Sequence, residues 1–356
     1  MHYLDNAATT RVLPEAAEAA VHAMLEEFGN PSSLHRMGLE ASHLLEDSRK
    51  TVASALGCLP EEVYFTACGT ESTNISLHGA SHLNRHKKGR IIVTEIEHAA
   101  TINTAKQLAD SGFDVVFLAP DATGHITPEA LSEALTEDTV LLSCQLVNNE
   151  IGTVQPVEQL GKLLKAKAPK ALFHIDAVQG LCRVRLTPKK WSCDLMSVSG
   201  HKIGAPKGIG ALYVKKGARI APILYGGGQQ NGLRSGTESV PLIAAFGAAA
   251  EKGRTGLGEN RAHYEMLRAL LLQEAASVPQ IRFRDVSHHA PHIVSFSVYG
   301  VRSETMLHYL EQFAVYVSSG SACAKGKHSY VLSALGVDKM TSDETLRVSF
   351  APDTAE

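Results

Sequence analysis

Between residues 91 and 176 the sequence alternates short apolar runs, rich in β-branched residues, with segments of helical period. The apolar runs cover 91–95, 114–119, 139–147 and 171–176, and the helical segments between them cover 98–109, 128–135 and 156–167. This alternation predicts parallel strands joined by crossover helices, because parallel neighbours need a long connection. Strands that are apolar throughout are buried on both faces. We therefore predict an α/β fold with a buried, mostly parallel sheet.

The rhythm changes after the glycine-rich stretch GGGQQNGLRSGTE, which begins at Gly226. Helical period is seen at 240–250, 264–276, 304–312 and 329–335, and strand-like runs at 281–285, 293–298, 315–317 and 345–350. Strands and helices are mixed here without the regular crossovers of the first part. This region predicts a second, smaller α+β lobe.

Composition excludes several classes of protein. The chain of 356 residues has 34 Lys and Arg against 37 Asp and Glu, which leaves no broad cationic surface for nucleic acid. No apolar run approaches the roughly 20 residues of a membrane helix, and the polar start MHYLDNAATTR is unlike a secretory signal. The six cysteines form no CxxC pair, which favours a reducing compartment. We expect a cytoplasmic protein with neither a nucleic-acid nor a membrane partner.

Polar residues follow several predicted strands, at the edge where open α/β sheets bind ligands. Gly69 and Thr70 enter a helix whose free N–H groups could bind an anion, although this motif taken alone favours Thr70 as an ordinary cap with no ligand. His98 follows the strand at 91–95, where a structural hydrogen bond is the commoner role. Asp176 ends a buried strand, where a carboxylate needs a partner, and Gln179 follows three residues later.

The segment SVSGHKIGAPKGIGALYV places Lys202 among glycines, next to Ser199 and His201. A lysine forms imines once its amine is deprotonated, which desolvation or a neighbouring cation favours. A surface lysine in a glycine loop is the alternative, but the small polar neighbours favour an anion site beside it. No GxxxxGK[ST] motif occurs and no GxGxxG joins a first strand to a helix, so neither P-loop nor nicotinamide binding is indicated.

Together these residues match what a pyridoxal phosphate site requires, namely a phosphate anchor, a partner for the pyridinium nitrogen, a ring cover and an imine-forming lysine. The candidates for these roles are, in that order, Thr70 with Ser199 and His201, then Asp176, His98 and Lys202.

A series of motifs, in chain order, resembles the cysteine desulfurases of the aminotransferase class V group. They are YLDNAATT, GNPSSLHRMG, FTACGTESTN, EHAA, VNNEIGTVQP, HIDAVQ, SVSGHKIGAPKGIGALY, GGGQQNGLRSGTE, SSGSACAKGKHSYVL and LRVSF. The likeness runs from residue 3 to about residue 352. It implies the aspartate aminotransferase-like fold (fold type I of the pyridoxal phosphate enzymes). It also implies a large cofactor-binding domain at 15–250, and a small domain made of 1–14 with 251–356.

The resemblance also implies roles for individual residues. Lys202 would hold the cofactor through an imine, Asp176 would pair with the ring nitrogen, Gln179 would bond the ring hydroxyl, and His98 would stack on the ring. Gly69, Thr70, Ser199 and His201 would bind the phosphate, and Thr237 would reach the phosphate of the other subunit in a homodimer. Asn149 and Arg347 would hold the substrate carboxylate, and Cys323 would accept sulfur.

The implied reaction converts L-cysteine to L-alanine and leaves a persulfide on Cys323. Sulfur would then pass to acceptor proteins for iron–sulfur cluster assembly or other pathways such as tRNA thiolation. Two alternatives remain open from the residues alone. One is another class V enzyme, such as a selenocysteine lyase, an epimerase or an aminotransferase, for which Cys323 would be dispensable. The other is a noncatalytic sulfur-delivery scaffold.

The remaining cysteines and histidines are interpreted as structural. Cys58, Cys144, Cys182 and Cys193 are expected to pack in or near the core. The stretch SHHAPH has no acidic or cysteine companions at ligand spacing, so we predict a solvated loop and no metal site. The segment AKGKH after Cys323 is shorter than is common in housekeeping members of the family, which leads to the hypothesis of a dedicated acceptor.

Overall fold

The computed structural model describes residues 1–284, 288–319 and 328–355, and a seven-stranded sheet lies at its centre. The strands of this sheet are β2 (Val63–Thr66), β3 (Arg90–Thr94), β4 (Asp114–Leu118), β5 (Thr139–Gln145), β6 (Leu172–Asp176), β7 (Leu195–Ser199) and β8 (Gly210–Val214). Their order is β2-β8-β7-β6-β5-β3-β4, and only β8 runs antiparallel to its neighbours. The predicted α/β fold with a mostly parallel sheet is confirmed.

Helices cover this sheet and join its strands. They are α1 (Pro14–Leu25), α2 (Arg36–Leu56), α3 (Gly69–Leu83), α4 (Ala99–Asp110), α5 (Pro128–Ala134), α6 (Val157–Lys167) and α7 (Val240–Thr255). The inner strands of the sheet are buried, with Phe173 and Ile175 of β6 at zero exposure, whereas the edge strand β4 is partly exposed. The apolar runs of the sequence are therefore explained by burial on both faces.

The C-terminal part forms a second sheet of four strands in the order β12-β13-β10-β9. The helices and strands of this C-terminal part are α8 (Leu257–Ala275), β9 (Ile281–Phe283), β10 (Ile293–Val298), α9 (Ser303–Glu311), β11 (Val315–Tyr316), β12 (Ser318–Ser319), α10 (Tyr330–Ala334), α11 (Lys339–Asp343) and β13 (Thr345–Ser349). The N-terminal strand β1 (His2–Tyr3) pairs with β11, which brings the start of the chain to this part of the molecule.

Boundaries differ from the prediction at several elements, and two of these differences have identifiable reasons. Strand β5 ends at Gln145 rather than at residue 147, because the chain turns back there and Val147 pairs with Val154. Helix α7 continues to Thr255, past the end of its apolar run, and Lys252 and Arg254 lie favourably in its last turn.

The two long helices before β2, α1 and α2, were not predicted from the sequence. Helix α1 buries only small side chains, those of Ala16, Ala20 and Ala23, and α2 mixes its buried residues with many polar ones. Such patterns give a weak signal of period, because alanine contributes little to the contrast between faces.

Strand β8 begins with a glycine that lets two segments approach closely. A Cβ atom at Gly210 would lie 2.7 Å from the carbonyl oxygen of Val198 and 2.8 Å from the carbonyl carbon of Cys68. Both contacts are to backbone, which cannot swing away. Gly210 therefore sets the distance between β8, β7 and the loop that enters α3.

We expect Gly210→Ala to lower the free energy of unfolding by about 1–3 kcal/mol, because the added methyl group overpacks this junction. The matched control is Gly258→Ala in α8, where no atom lies within 4 Å of the added Cβ. That change should be neutral or stabilise by up to about 1 kcal/mol, because alanine is the better helix former. Urea unfolding of the two variants and the parent checks this, and equal stabilities would contradict it.

Candidate active site

The predicted polar residues meet at the carboxyl ends of the central strands. Asp176 is the last residue of β6, flanked in the sheet by Gln145 of β5 and Ser197 of β7. It is only 8% exposed, so its carboxyl group is largely removed from water. One oxygen, Oδ1, accepts a hydrogen bond from the backbone N–H of Val178 at 2.9 Å.

Opposing influences act on the Asp176 carboxyl group. Burial is the largest influence and raises its pKa, whereas the Val178 N–H and the nearby His98 and Lys202 act to lower it. Because His98 and Lys202 both act electrostatically on this carboxyl group, the structure brings Asp176, His98 and Lys202 together. A cationic ring nitrogen beside Asp176 would shift the balance further toward the carboxylate.

Lys202 ends a short turn, Gly200–Lys202, that follows β7 directly. Its Nζ donates hydrogen bonds of 2.7 Å to the carbonyl oxygens of Ala7 and Ala8. The Nε2 of Gln179 donates to the same Ala7 oxygen at 2.8 Å. The N-terminal segment therefore lies beside the amine and orients it.

This contribution of Ala7 and Ala8 was missed in the sequence analysis. Alanine carries no functional side chain, and the contact uses backbone carbonyls, so residue type gives no signal. The only available hint is that YLDNAATT belongs to the resemblance. The same segment also contacts His201, whose Nδ1 lies 3.2 Å from the Thr9 hydroxyl.

A cradle of small residues lies at the N-terminus of α3. Helix α3 begins at Gly69, and its N-cap residue Cys68 makes no side-chain capping bond. The first-turn N–H groups of a helix lack intrahelical acceptors and favour an anion. Thr70, at this end, is exposed. A Cβ atom at Gly69 would lie 2.6 Å from Val178 and 3.5 Å from the Cβ of Ser199, so glycine keeps this end open.

The side chains of Ser199 and His201 indicate which kind of ligand this cradle binds. The hydroxyl of Ser199 is buried and has no hydrogen-bond partner within the described part of the chain. A buried unpaired hydroxyl is costly, which points to a ligand that pairs with it. Desolvation, followed by the charges of Lys202 and Lys207, lowers the pKa of His201 to about 4. His201 is therefore neutral near pH 7 and can still donate a hydrogen bond.

His98 is the N-cap of α4, where its Nδ1 accepts from the N–H of Ala100 at 3.1 Å. This bond makes Nε2 the nitrogen that carries the proton of the neutral ring. His98 is half-buried. Its structural capping role and its predicted role as a ring cover are compatible, because the cap holds the imidazole in one orientation.

Arg347 of β13 and Asn149 are bonded to each other. The Nη1 of Arg347 donates to the carbonyl oxygen of Asn149 at 2.8 Å, and Nη2 donates to Asp5 Oδ1 at 2.6 Å. Arg347 is 4% exposed, and its Nε has no partner among residues 1–284, 288–319 and 328–355. Nη1 and Nη2 thus hold the guanidinium in place, and Nε is a donor that a ligand could use.

Two predicted site residues are not brought into this group. Thr237 is exposed, on the glycine-rich loop whose Arg234 forms an ion pair with Glu71 at 2.8 Å. That ion pair ties the loop to the first turn of α3. Cys323 lies outside the described residues.

The other cysteines agree with a packing role. Cys144, Cys182 and Cys193 are buried, and burial raises the pKa of each thiol, to about 12 at Cys182. A high pKa leaves little thiolate, which is the nucleophilic form. These thiols are therefore poor sulfur acceptors.

The predicted solvated loop at SHHAPH is wrong for its last three residues, which are buried. His292 is 3% exposed, near the Tyr264 ring at a centroid distance of 5.8 Å. Burial, with the charge of Arg183, lowers its pKa well below the usual value, so the ring is neutral. Packing against α8 outweighs the polarity of the side chain, which the local sequence does not show.

Comparison with known proteins identifies the family. The aminotransferase class V model matches residues 2–356. The chain belongs to this family. It is 39% identical over 350 residues to the cysteine desulfurase IscS of Methanosarcina thermophila, covering 98% of this chain and 86% of that protein. Its fold is similar to that of a NifS-like protein, with a TM-score of 0.95, 36% identity and coverage of 100% and 95% of the two chains. It is also similar to the structure of SspA in complex with cysteine, with a TM-score of 0.87, 29% identity and complete coverage of both chains.

Pyridoxal 5′-phosphate is the cofactor of this class V group, and the residues present fit it. The orphaned Ser199 hydroxyl, the open end of α3 and the neutral His201 suit a phosphate. The buried Asp176 suits a cationic ring nitrogen, and the amine of Lys202 lies within its electrostatic reach. The predicted cofactor and fold type are thereby confirmed.

A second carboxyl group, that of Glu97, which precedes His98 in the chain, is fully buried. Its Oε1 accepts from the Thr94 hydroxyl at 2.6 Å and from the Gln145 N–H at 2.7 Å, and its Oε2 has no partner in the described residues. Desolvation raises the pKa of Glu97 to about 8, with the nearby charge of Asp176 acting in the same direction. Glu97 is therefore mostly neutral at pH 7.

We expect Glu97→Gln to change how stability depends on pH. A carboxyl group with a raised folded-state pKa stabilises at low pH, and this stability is lost as pH rises through about 5 to 8, by up to about 1.4 kcal/mol per pH unit. The glutamine amide mimics the neutral acid and does not titrate. The variant should therefore gain stability relative to the parent as pH increases. Urea unfolding at several pH values measures this, and a constant difference between the two proteins would refute it.

Proposed function

We propose that this protein is a cysteine desulfurase that removes sulfur from L-cysteine, releasing L-alanine and leaving a persulfide on Cys323. The observation with most weight is the geometry at residue 202, in a chain 39% identical over nearly its full length to a protein named cysteine desulfurase. Its amine lies beside a buried carboxylate at the ends of the central strands. This is the arrangement that an imine-forming lysine requires.

The cofactor supplies an electron sink for the bonds at the α-carbon of the substrate. Asp176 would bind the ring nitrogen, Gln179 the ring hydroxyl, and His98 the ring face. Gly69, Thr70, Ser199 and His201 would hold the phosphate, with Thr237 reaching the phosphate in the other subunit. The orphaned Ser199 hydroxyl and the unpartnered N–H groups of α3 support the phosphate assignment.

Arg347 and Asn149 would bind the substrate carboxylate. The guanidinium of Arg347 is fixed by Asp5 and by the Asn149 carbonyl, and its Nε remains as a donor. A fixed fork loses little conformational entropy when a carboxylate binds, and charge-assisted bonds to it are strong.

Lys202 would also move the α-proton of the substrate. The carbonyls of Ala7 and Ala8 hold Nζ at a fixed position, so the amine can take the proton from one carbon and return it to a neighbouring one. The same carbonyls stabilise the protonated amine between these two events.

Cys323 would then take the sulfur. Its thiolate forms a bond to the substrate sulfur while the bond between that sulfur and Cβ breaks, and the electron pair of that bond goes to Cβ. Cβ gains a proton and becomes the methyl group of alanine, so atoms and electrons balance without an external oxidant. Basic residues follow in the sequence at Lys325, Lys327 and His328, and a cation near the sulfur would favour the thiolate.

The partners and setting follow from the same proposal. We propose a homodimer, an acceptor protein that takes the persulfide sulfur for iron–sulfur cluster assembly or tRNA thiolation, and a division into a domain at 15–250 and one at 1–14 with 251–356. The pairing of β1 with β11 supports the grouping of the two termini. In the described residues no helix is long and apolar enough to cross a membrane. The unpaired thiols of the five described cysteines support a cytoplasmic setting.

The decisive experiment incubates purified protein, loaded with cofactor, with L-cysteine. We expect alanine together with a mass gain of one sulfur on the peptide containing Cys323. In the variant Cys323→Ala the visible absorbance of the bound cofactor should remain, because the thiol is not needed to hold it. Sulfur transfer should fall by at least about a hundredfold, because the acceptor nucleophile is gone.

Two matched variants separate this proposal from its alternatives. Cys144→Ala removes a buried thiol and should leave sulfur transfer intact. Lys202→Ala should abolish both the absorbance change with cysteine and alanine formation. An epimerase, aminotransferase or selenocysteine lyase would keep its activity in Cys323→Ala. A noncatalytic scaffold would show neither cofactor absorbance nor reaction with borohydride.

Arg347→Lys should raise the KM for cysteine by about tenfold or more, because lysine keeps the charge and loses the bidentate fork. Cofactor absorbance should be unchanged. The control is Arg282→Lys, an exposed change in strand β9 of the same small sheet. An unchanged KM in Arg347→Lys would contradict the assignment.

A further inference from the structure

A cavity of about 760 Å³ lies between the N-terminal segment, the junction of α7 with α8, and the residues after β13. We call it the N-terminal cavity, and its wall is formed by parts of 1–14, 182–183, 203–204, 252–260 and 351–355. No described residue that is assigned to the cofactor or the substrate belongs to this wall. The volume is within the range of roughly 300–1,000 Å³ that small-molecule sites occupy.

The N-terminal cavity is lined by a buried cation, the guanidinium of Arg183. Arg183 is 8% exposed, and desolvation lowers its pKa to about 10, which still leaves it charged at pH 7. Within the described part of the chain it makes a single long hydrogen bond, from Nη2 to the carbonyl oxygen of Lys202 at 3.5 Å. It forms no ion pair with a carboxylate of the described residues. Charged side chains are seldom buried unless they are paired, so Arg183 lacks a counterion.

The rings packed near Arg183 do not supply the missing negative charge. Its Cζ lies 5.0 Å from the centroid of the Tyr264 ring, a cation–π contact that attracts the guanidinium without neutralising it. His292 lies on the same tyrosine, at 5.8 Å between centroids. Burial, with the charge of Arg183, holds the pKa of His292 well below its usual value, so this ring is neutral. The compensating charge must therefore come from the cavity.

The charges of the wall indicate which kind of anion fits. With histidine neutral, the other charged side chains balance, because Arg11 and Lys252 stand against Glu259 and Asp353. All four are exposed, so water solvates them. The uncompensated charge is that of Arg183 alone. One guanidinium neutralises one negative charge, and its planar fork matches a carboxylate, whereas a dianion such as phosphate would keep a second charge unpaired.

We propose that the N-terminal cavity binds a small organic monocarboxylate, whose carboxylate group pairs with Arg183 and whose apolar part contacts Leu13 and Ile203 in the wall. Mostly apolar walls with few polar groups are typical of small-molecule sites. This site is distinct from Arg347, which is expected to bind the carboxylate of the substrate. The inference goes beyond the proposed function, because binding here requires no turnover.

Titration calorimetry on the cofactor-loaded protein tests the proposal, with benzoate as the probe and benzamide as its uncharged analogue. We expect benzoate to bind at least about tenfold more tightly than benzamide, because paired charge-assisted hydrogen bonds form only with the carboxylate. In Arg183→Met the charge is gone, and benzoate should bind no more tightly than benzamide. Arg183→Lys keeps the charge and loses the fork, so benzoate should bind about fivefold more weakly than to the parent.

Stability and control variants complete the design. Replacing an unpaired buried cation by an apolar side chain of similar length should not unfold the protein, which urea unfolding of Arg183→Met checks. The lysine variant provides a second measurement if the methionine variant folds poorly. Arg185→Met removes an exposed cation outside the wall and should bind benzoate like the parent. Arg347→Lys should also keep this affinity, because it changes only the substrate site.

Three results would each overturn the proposal. One is a parent that does not distinguish benzoate from benzamide. Another is a preference for benzoate that persists in Arg183→Met with an unchanged affinity in Arg183→Lys. The third is a preference that is lost in Arg347→Lys, which would place the probe in the substrate site. Sulfur transfer enters none of these measurements, so they stand or fail separately from the desulfurase assignment.

Discussion

The site depends on a carboxylate that the fold buries at the end of a β-strand. Asp176 ends β6 between two other strands, where water cannot solvate a charge well. Burial alone would neutralise it, so its ionised form relies on the Val178 N–H and on positive charge at His98 and Lys202. At Glu97, nearby, hydrogen bonds from the Thr94 hydroxyl and the Gln145 N–H do not outweigh burial, and its pKa rises to about 8. The fold thus distinguishes two buried carboxyl groups and leaves one of them to bind a cation.

The central sheet explains how distant parts of the sequence meet around that charge. Parallel strands deliver their following loops to one edge, which places Asp176, His98 and the turn with Lys202 together. The antiparallel β8 returns from that edge, and its glycine at 210 allows the entry to α3 to pack closely. The phosphate cradle therefore depends on backbone proximity as much as on polar side chains.

Much of this arrangement could be predicted from the sequence. The features that could not be predicted depend on backbone groups or on packing between distant segments. Lys202 and Asp176 were identifiable because an amine among glycines and an acid after a buried strand are unusual, and the strand pattern placed them at one edge. The carbonyls of Ala7 and Ala8 were not, because backbone groups leave no trace in residue type. The burial of His292 was also missed, since it depends on packing against α8, which the local sequence does not show. The position of the Cys323 sulfur remains a prediction from the family likeness.

The contacts of β13 with the N-terminal segment have a consequence for biosynthesis. Asn6 donates to the Ser349 carbonyl at 2.9 Å, and the N–H of Ala7 donates to the Ser349 hydroxyl at 2.8 Å. The carbonyls that hold the lysine amine are thus set by a strand made more than 300 residues later in the chain. A nascent polypeptide cannot assemble this corner before β13 has been synthesised, so the backbone carbonyls that hold the Lys202 amine reach their final place only after the ribosome has passed Ser349.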